Sequence, residues 1–198
     1  MRKWIYVPMI TICLLLCSCQ TEEMKTEDIQ SRYQKMTGCT MEAMVRCEQE
    51  GMEWEAELKC EYVPGESSTV EVLSPETISG IKAVLNDAEW YLEYDGMVLN
   101  ALPISNEKIS PAMCLPLLMK GLRDGWVLEE NEEQWKGCPC YRIAVDQSGG
   151  QEKILSTIWI RQEDQTPLRG EISVGGEIIL TAEFTNFAFY DTIEKQEE

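Results

Sequence analysis

From Cys39 to Cys47 apolar and polar positions alternate. Cys39, Met41, Ala43, Val45 and Cys47 take one parity; Thr40, Glu42, Arg46 and Glu48 take the other, with Met44 the only apolar residue among them. After a break at Gln49 to Gly51 the alternation resumes. Met52, Trp54, Ala56, Leu58, Cys60 and Tyr62 interleave with Glu53, Glu55, Glu57, Lys59 and Glu61. Successive side chains of a strand point to opposite faces, so this pattern predicts two long strands in an antiparallel hairpin, with one oily face and one wet, acidic face. Upstream the period is different. Ile29, Tyr33 and Met36 are four and three apart, which predicts one amphipathic helix after a polar tether, closed by Gly38 at its C-terminal end.

Further strands are predicted over Ser68 to Leu73, Ile81 to Leu85, Trp90 to Tyr94 and Met97 to Ala101, with tight turns at Asn86-Asp87 and Asp95-Gly96. Ser110-Pro111 reads as an N-cap followed by a proline at the first helical position. The helix after it reaches Arg123 and must accommodate Pro116, either as two short turns or as a kinked helix. Strands return over Trp126 to Glu130, Cys140 to Val145, Ile154 to Arg161, Leu168 to Val174 and Ile178 to Phe189. A three-residue loop at Gly175-Gly176 would set Ile172 opposite Leu180. Ile178, Leu180, Ala182 and Phe184 share one parity and Phe187 and Phe189 take the other, so a bulge is expected near Asn186. The fold class is mainly β (α+β): a curled antiparallel sheet of about 10–11 strands with an N-terminal helix and a helical insertion covering its apolar side.

The N-terminus alters this picture. Arg2 and Lys3 precede an apolar run from Trp4 to Leu16, too short for a bilayer core that needs roughly 20 residues. The run ends Leu16-Cys17-Ser18-Cys19, which resembles the bacterial lipobox, with Cys19 as the acylated residue. The expected organisation is a lipoprotein signal peptide over 1–18, a tether over 19–27, one domain over 28–191 and an acidic tail over 192–198. Two acyl chains on a diacylglyceryl Cys19 suffice for stable anchoring on the extracytoplasmic face of the membrane.

The chain of 198 residues carries a formal charge of −18, which removing Arg2 and Lys3 takes to −20. That balance argues against nucleic acid as a partner and against flat adsorption on anionic headgroups. With no histidine in the sequence, Ser-His-Asp triads, Cys-His dyads and His-ligated zinc are excluded within the chain. The glutamates at 53, 55 and 57 read as a solvated strand face, and Glu129, Glu130, Glu132 and Glu133 as a solvated loop. Neither the Asp-rich calcium-loop spacing nor a phosphate-binding glycine loop occurs. No cofactor, metal or catalytic residue is expected.

Six cysteines remain beyond Cys19: Cys39, Cys47, Cys60, Cys114, Cys138 and Cys140. An even number in an exported domain points to disulfides; buried thiols acting as small hydrophobes are the alternative. A hairpin turn centred on Gln49-Glu50 puts Cys39 opposite Cys60 and allows a bridge. A turn at Glu50-Gly51 breaks that pairing. Cys138-Pro139-Cys140 is a close pair, and Cys114 is a second candidate to bridge to it.

The order of these features resembles the LolA/LolB-like fold of bacterial lipoprotein carriers. The resemblance rests on the helix ending Tyr33-Gln34-Lys35-Met36-Thr37-Gly38, the long hairpin, Val72-Leu73-Ser74-Pro75-Glu76, Tyr94-Asp95-Gly96, Ser156-Thr157-Ile158-Trp159-Ile160, Thr166-Pro167-Leu168-Arg169-Gly170-Glu171-Ile172 and Phe184-Thr185-Asn186-Phe187. It covers roughly residues 24 to 190. The resemblance implies a half-open barrel whose concave apolar side holds acyl chains or offers a groove to a partner. Lipid-anchored relatives include carriers, envelope-stress sensors and germination lipoproteins of spore-formers. Two readings follow. One is a non-catalytic binding protein for a lipid or other hydrophobic ligand, with Met41, Val45, Trp54, Leu58, Leu118 and Leu122 facing the ligand. The other is a lipoprotein that docks on and regulates an envelope or spore-cortex enzyme.

Overall fold

A computed structural model describes residues 24–49, 52–86, 90–100, 109–148 and 153–190. The chain runs α1 (Met24–Lys35), β1 (Cys39–Gln49), β2 (Met52–Tyr62), β3 (Ser68–Ser74), β4 (Lys82–Leu85), β5 (Trp90–Tyr94), β6 (Met97–Asn100), a 3-10 turn (Pro111–Met113), α2 (Cys114–Asp124), β7 (Trp126–Trp135), β8 (Cys138–Asp146), β9 (Ile154–Arg161), β10 (Pro167–Val174) and β11 (Glu177–Phe189). All eleven strands form one sheet in the order β6-β5-β4-β3-β2-β1-β11-β10-β9-β8-β7. Its strand pairings are antiparallel. The ends, β6 and β7, do not pair with each other, so the barrel is half-open.

One face of the sheet gathers the apolar parity of each strand. Met41, Ala43 and Val45 of β1, Ala56 and Leu58 of β2, Ile143 and Val145 of β8, Ile158 and Ile160 of β9, Ile172 of β10 and Leu180 and Ala182 of β11 are all buried in one core. The helix α2 lies on this face and contacts β2, β8, β9, β10 and β11. Six neighbouring strands laid flat would span about 24 Å, more than the roughly 16 Å length of an eleven-residue helix. The sheet therefore curls around the helix. Leu118 is fully buried against Gly170, where a Cβ would come within 2.4 Å of Leu118 Cδ1.

Turn chemistry sets the register. Asp95-Gly96, Lys136-Gly137 and Gly175-Gly176 all have positive φ at both residues, which matches the right-handed twist of the flanking strands. At Gly175-Gly176 the connection is two residues long, with Ile179 bulged; Ile172 still faces Leu180, as a three-residue loop would have placed it. Thr185 forms the bulge expected next to Asn186 and returns Phe187 and Phe189 to the inner face, where both rings meet Tyr33.

Several expectations need correction. The β1–β2 register pairs Cys39 with Tyr62 and Met41 with Cys60, the pairing in which Cys39 does not face Cys60. Cys39 and Cys60 are thus diagonal rather than facing. Both are free and buried, as are Cys114 and Cys140, while Cys138 is a half-exposed free thiol; Cys47 is buried as well. The glutamate run is strand and not loop: β7 continues to Trp135 because Lys136-Gly137 supplies the hairpin turn. Pro116 introduces no break in α2. It falls in the first turn, after a 3-10 turn that starts at Pro111, where its missing N–H has no helical acceptor to lose. Gly38 lies beyond the end of α1 and serves close approach, since a Cβ there would meet the Tyr190 ring. Cys19, the Asn86-Asp87 turn at Asp87, Ala101 and the tail over 192–198 lie outside the described residues.

Candidate functional site

The inner face divides into a filled half and an open half. Over β8–β11 the helix α2 is seated by hydrogen bonds from two sides, α1 and the segment after β8. The Gln30 and Gln34 amides, one turn apart on α1, donate to the carbonyls of Gly125 (2.9 Å) and Arg123 (3.1 Å) at the end of α2. Gln147 Nε2 donates to the Leu117 carbonyl at 2.7 Å, and its Oε1 accepts from Ser156 Oγ. The bonds to Arg123 and Gly125 satisfy carbonyls that the helix end leaves without intrahelical donors; the bond to Leu117 is a second one to a carbonyl within the helix. The helix α1 is held in turn by Tyr33 Oη, which donates to the Gln165 carbonyl at 2.8 Å, and by Arg32, which stacks on Phe189 and donates to the Asp164 carbonyl.

Among the described residues no helix fills the curl over β2–β5, and a cavity of about 300 Å³ lies there. Its floor is Trp54 and Leu58 of β2 with Val70 and Val72 of β3. Ala83 of β4 and Trp90 and Leu92 of β5 extend it, Ile81 stands at the edge, and the 3-10 turn closes it with Ser110, Pro111 and Ala112. The side chains in that lining that can form hydrogen bonds are Ser110, through its hydroxyl, and Trp54 and Trp90, through their indole N–H groups. No residue of the lining carries an ionisable side chain, so the cavity offers mainly van der Waals contact and few hydrogen-bonding groups.

Of the residues expected to face a ligand, Trp54 and Leu58 line this cavity. Met41, Val45, Leu118 and Leu122 are buried in the packed half, at 0–2% exposure. The contributions of β3, β4, β5 and the 3-10 turn were missed. The signal was present: Val70 and Val72, then Ala83 and Leu85, then Trp90 and Leu92 continue the parity of Leu58. Short strands do not announce their place in a sheet, so the alternation alone did not order them.

The buried thiols of Cys39, Cys60 and Cys114 are chemically quiet. Burial pushes the Cys39 thiol up to about 12 and also raises Cys60 and Cys114 above the ordinary thiol value. Thiolate is the nucleophile and the metal-binding form, so these residues act as small hydrophobes.

The outer face is polar and cross-braced. Trp159 lies within reach of Arg142 and Arg169, Arg169 also stacks on Trp135, and Trp159 Nε1 donates to Glu133 at 3.0 Å. Arg169 pairs with Glu171 and Glu183, and Lys136 with Glu183. Hydrogen bonds from Lys136, with its charge and those of Arg46 and Arg169, hold the Glu183 carboxyl below the usual range.

No protein-family profile matches the chain, and no curated protein does. Among solved structures, the chain is similar to a LolA superfamily protein from Nitrosomonas europaea (10% identity, 84% of this chain and 94% of that one, TM-score 0.43). It is similar to LprF from Mycobacterium bovis (13% identity, 85% and 93%, TM-score 0.45). A third likeness is to a chain in the structure of the CwlD amidase from Clostridioides difficile in complex with the GerS lipoprotein (14% identity, 91% and 96%, TM-score 0.36).

Proposed function

We propose that this chain is a membrane-anchored, extracytoplasmic binding protein whose half-barrel takes a small hydrophobic ligand, such as an acyl chain, in the cavity between β2–β5 and the 3-10 turn. In this reading residues 1–18 are removed, Cys19 carries the diacylglyceryl anchor, and residues 28–191 form the binding domain. The observation that carries it is the lining. Its apolar walls, Trp54 and Trp90 among them, enclose about 300 Å³ with one hydroxyl, at the small end of ligand sites, which run from roughly 300 to 1,000 Å³. A wall of this composition favours an uncharged, flexible hydrocarbon over a polar metabolite, because buried polar groups of a ligand would find few partners. The reading is non-catalytic, since the lining holds no acid, base or activated nucleophile.

Ala112→Trp on the 3-10 turn tests it. The indole projects into the cavity from the wall rather than from the sheet. Native mass spectrometry of the full chain should show a bound lipid-like mass that the variant loses, with circular dichroism unchanged. Retention of the same mass by the variant would place the ligand elsewhere, and no bound mass or uptake of added fatty acid by the unsubstituted chain would end the proposal.

A further inference from the structure

The two ends of an open sheet each leave a row of backbone N–H and C=O groups without a neighbouring strand. Here the two ends differ. The β6 edge is blunted by being short, at four residues. The β7 edge runs for ten residues, and its only strand neighbour among the described residues is β8. The start of β7 presents large apolar side chains to water: Trp126 is 77% and Leu128 is 49% exposed. Leu128 is also the bulged residue, sitting between Val127, which faces Val145, and Glu129, which faces Ala144. The remainder carries Glu129, Glu130, Glu132 and Glu133, with Glu130 and Glu132 on the inner-face parity beside Ile143 and Tyr141.

We infer that the β7 edge is a docking strand for an extended, basic segment of a partner protein, added to the sheet by main-chain hydrogen bonds with Trp126 and Leu128 as apolar anchors. The charges select this occupant. Arg142 pairs with Glu129 and Glu133, so one cation stands against four carboxylates and the strand stays net negative; a second copy of the chain would set like charge against like, which opposes pairing. The chain's own C-terminal segment, Asp191 to Glu198, carries four acidic residues and one lysine and is repelled in the same way. The bulge at Leu128 and the inward-parity glutamates guard the edge against indiscriminate pairing; the exposed Trp126 and Leu128 are the part of it that carries no charge. The site is separate from the cavity, which lies at the β2–β5 end of the sheet.

The probe is a synthetic peptide that alternates lysine with valine, matched in length to β7, with a glutamate–valine peptide as control. Hydrogen exchange of the full chain in detergent micelles should slow at the β7 amides when the lysine peptide is added, and not with the control. Raising the salt concentration should weaken the effect, and Glu130→Lys with Glu132→Lys should lower affinity by roughly tenfold or more. Three results would overturn the inference: unchanged β7 exchange at saturating peptide, equal binding of both peptides, or protection confined to another part of the sheet.

Discussion

At Gly170 two effects of opposite sign compete. The backbone there is not in the left-handed region, so alanine fits the local conformation and stiffens the unfolded chain, a gain of about 0.4–1 kcal/mol. Its methyl would, however, sit 2.4 Å from Leu118 Cδ1, and Leu118 is fully buried and hemmed in by the core. Overpacking of this kind costs about 1–3 kcal/mol. We therefore expect Gly170→Ala to lower the urea midpoint, with a net loss of about 1–2 kcal/mol; a raised midpoint would mean that Leu118 swings aside. Residue-scale chemistry was partly open to the sequence. The greasy parity of Trp54 and Leu58 is visible in the alternation, yet no pattern distinguishes these two, which line the cavity, from Met41 and Val45, which are packed under α2.

At the scale of elements the helices matter most, because α2 decides which half of the inner face is filled. Its C-terminal end is held by Gln30 and Gln34 of α1. Each such bond contributes about 0.5–1.5 kcal/mol net. Replacing both glutamines by alanine should destabilise the chain by about 1–2 kcal/mol, and amide exchange in the last turn of α2 should rise more than in β9. Equal acceleration in both would show that the pair has no local role. Nearly all strands and both helices were legible, since each carries its own period and turn residues. The extension of β7 through the glutamate run was not. Four carboxylates resemble a solvated loop, and only the Lys136-Gly137 turn, with Arg142 and Trp159 as partners for Glu129 and Glu133, makes them a strand.

Across the whole molecule, buried acids that stay protonated link stability to pH. The unfolded chain loses its thiol protons near pH ~8.5 and its tyrosine protons near ~10. Burial keeps them on Cys39 up to about 12 and raises Cys60, Cys114 and Tyr33 as well. The stability this represents is fully present below the unfolded values and is lost as pH rises towards the folded ones, because the native state then binds more protons than the unfolded state. On the acid side the sign reverses. The lowered Glu183 stabilises the fold above the ordinary carboxylate range and stops doing so as pH falls through its folded value. Thermal unfolding followed by circular dichroism should show a plateau between about pH 5 and 8, with melting temperatures falling on both sides. A flat response from pH 8 to 11 would contradict the burial of the thiols.

The sequence by itself determined the alternating strands, the two amphipathic helices, the acidic outer face and the absence of histidine chemistry. These follow from local period and residue type, which need no partner to be read. Only the tertiary structure decided that the cysteines of the first hairpin are diagonal, because a one-residue shift of the turn moves every cross-strand pair. It alone decided that α2 fills one half of the curl and leaves the other empty, because that depends on which distant strands the curling brings beneath the helix.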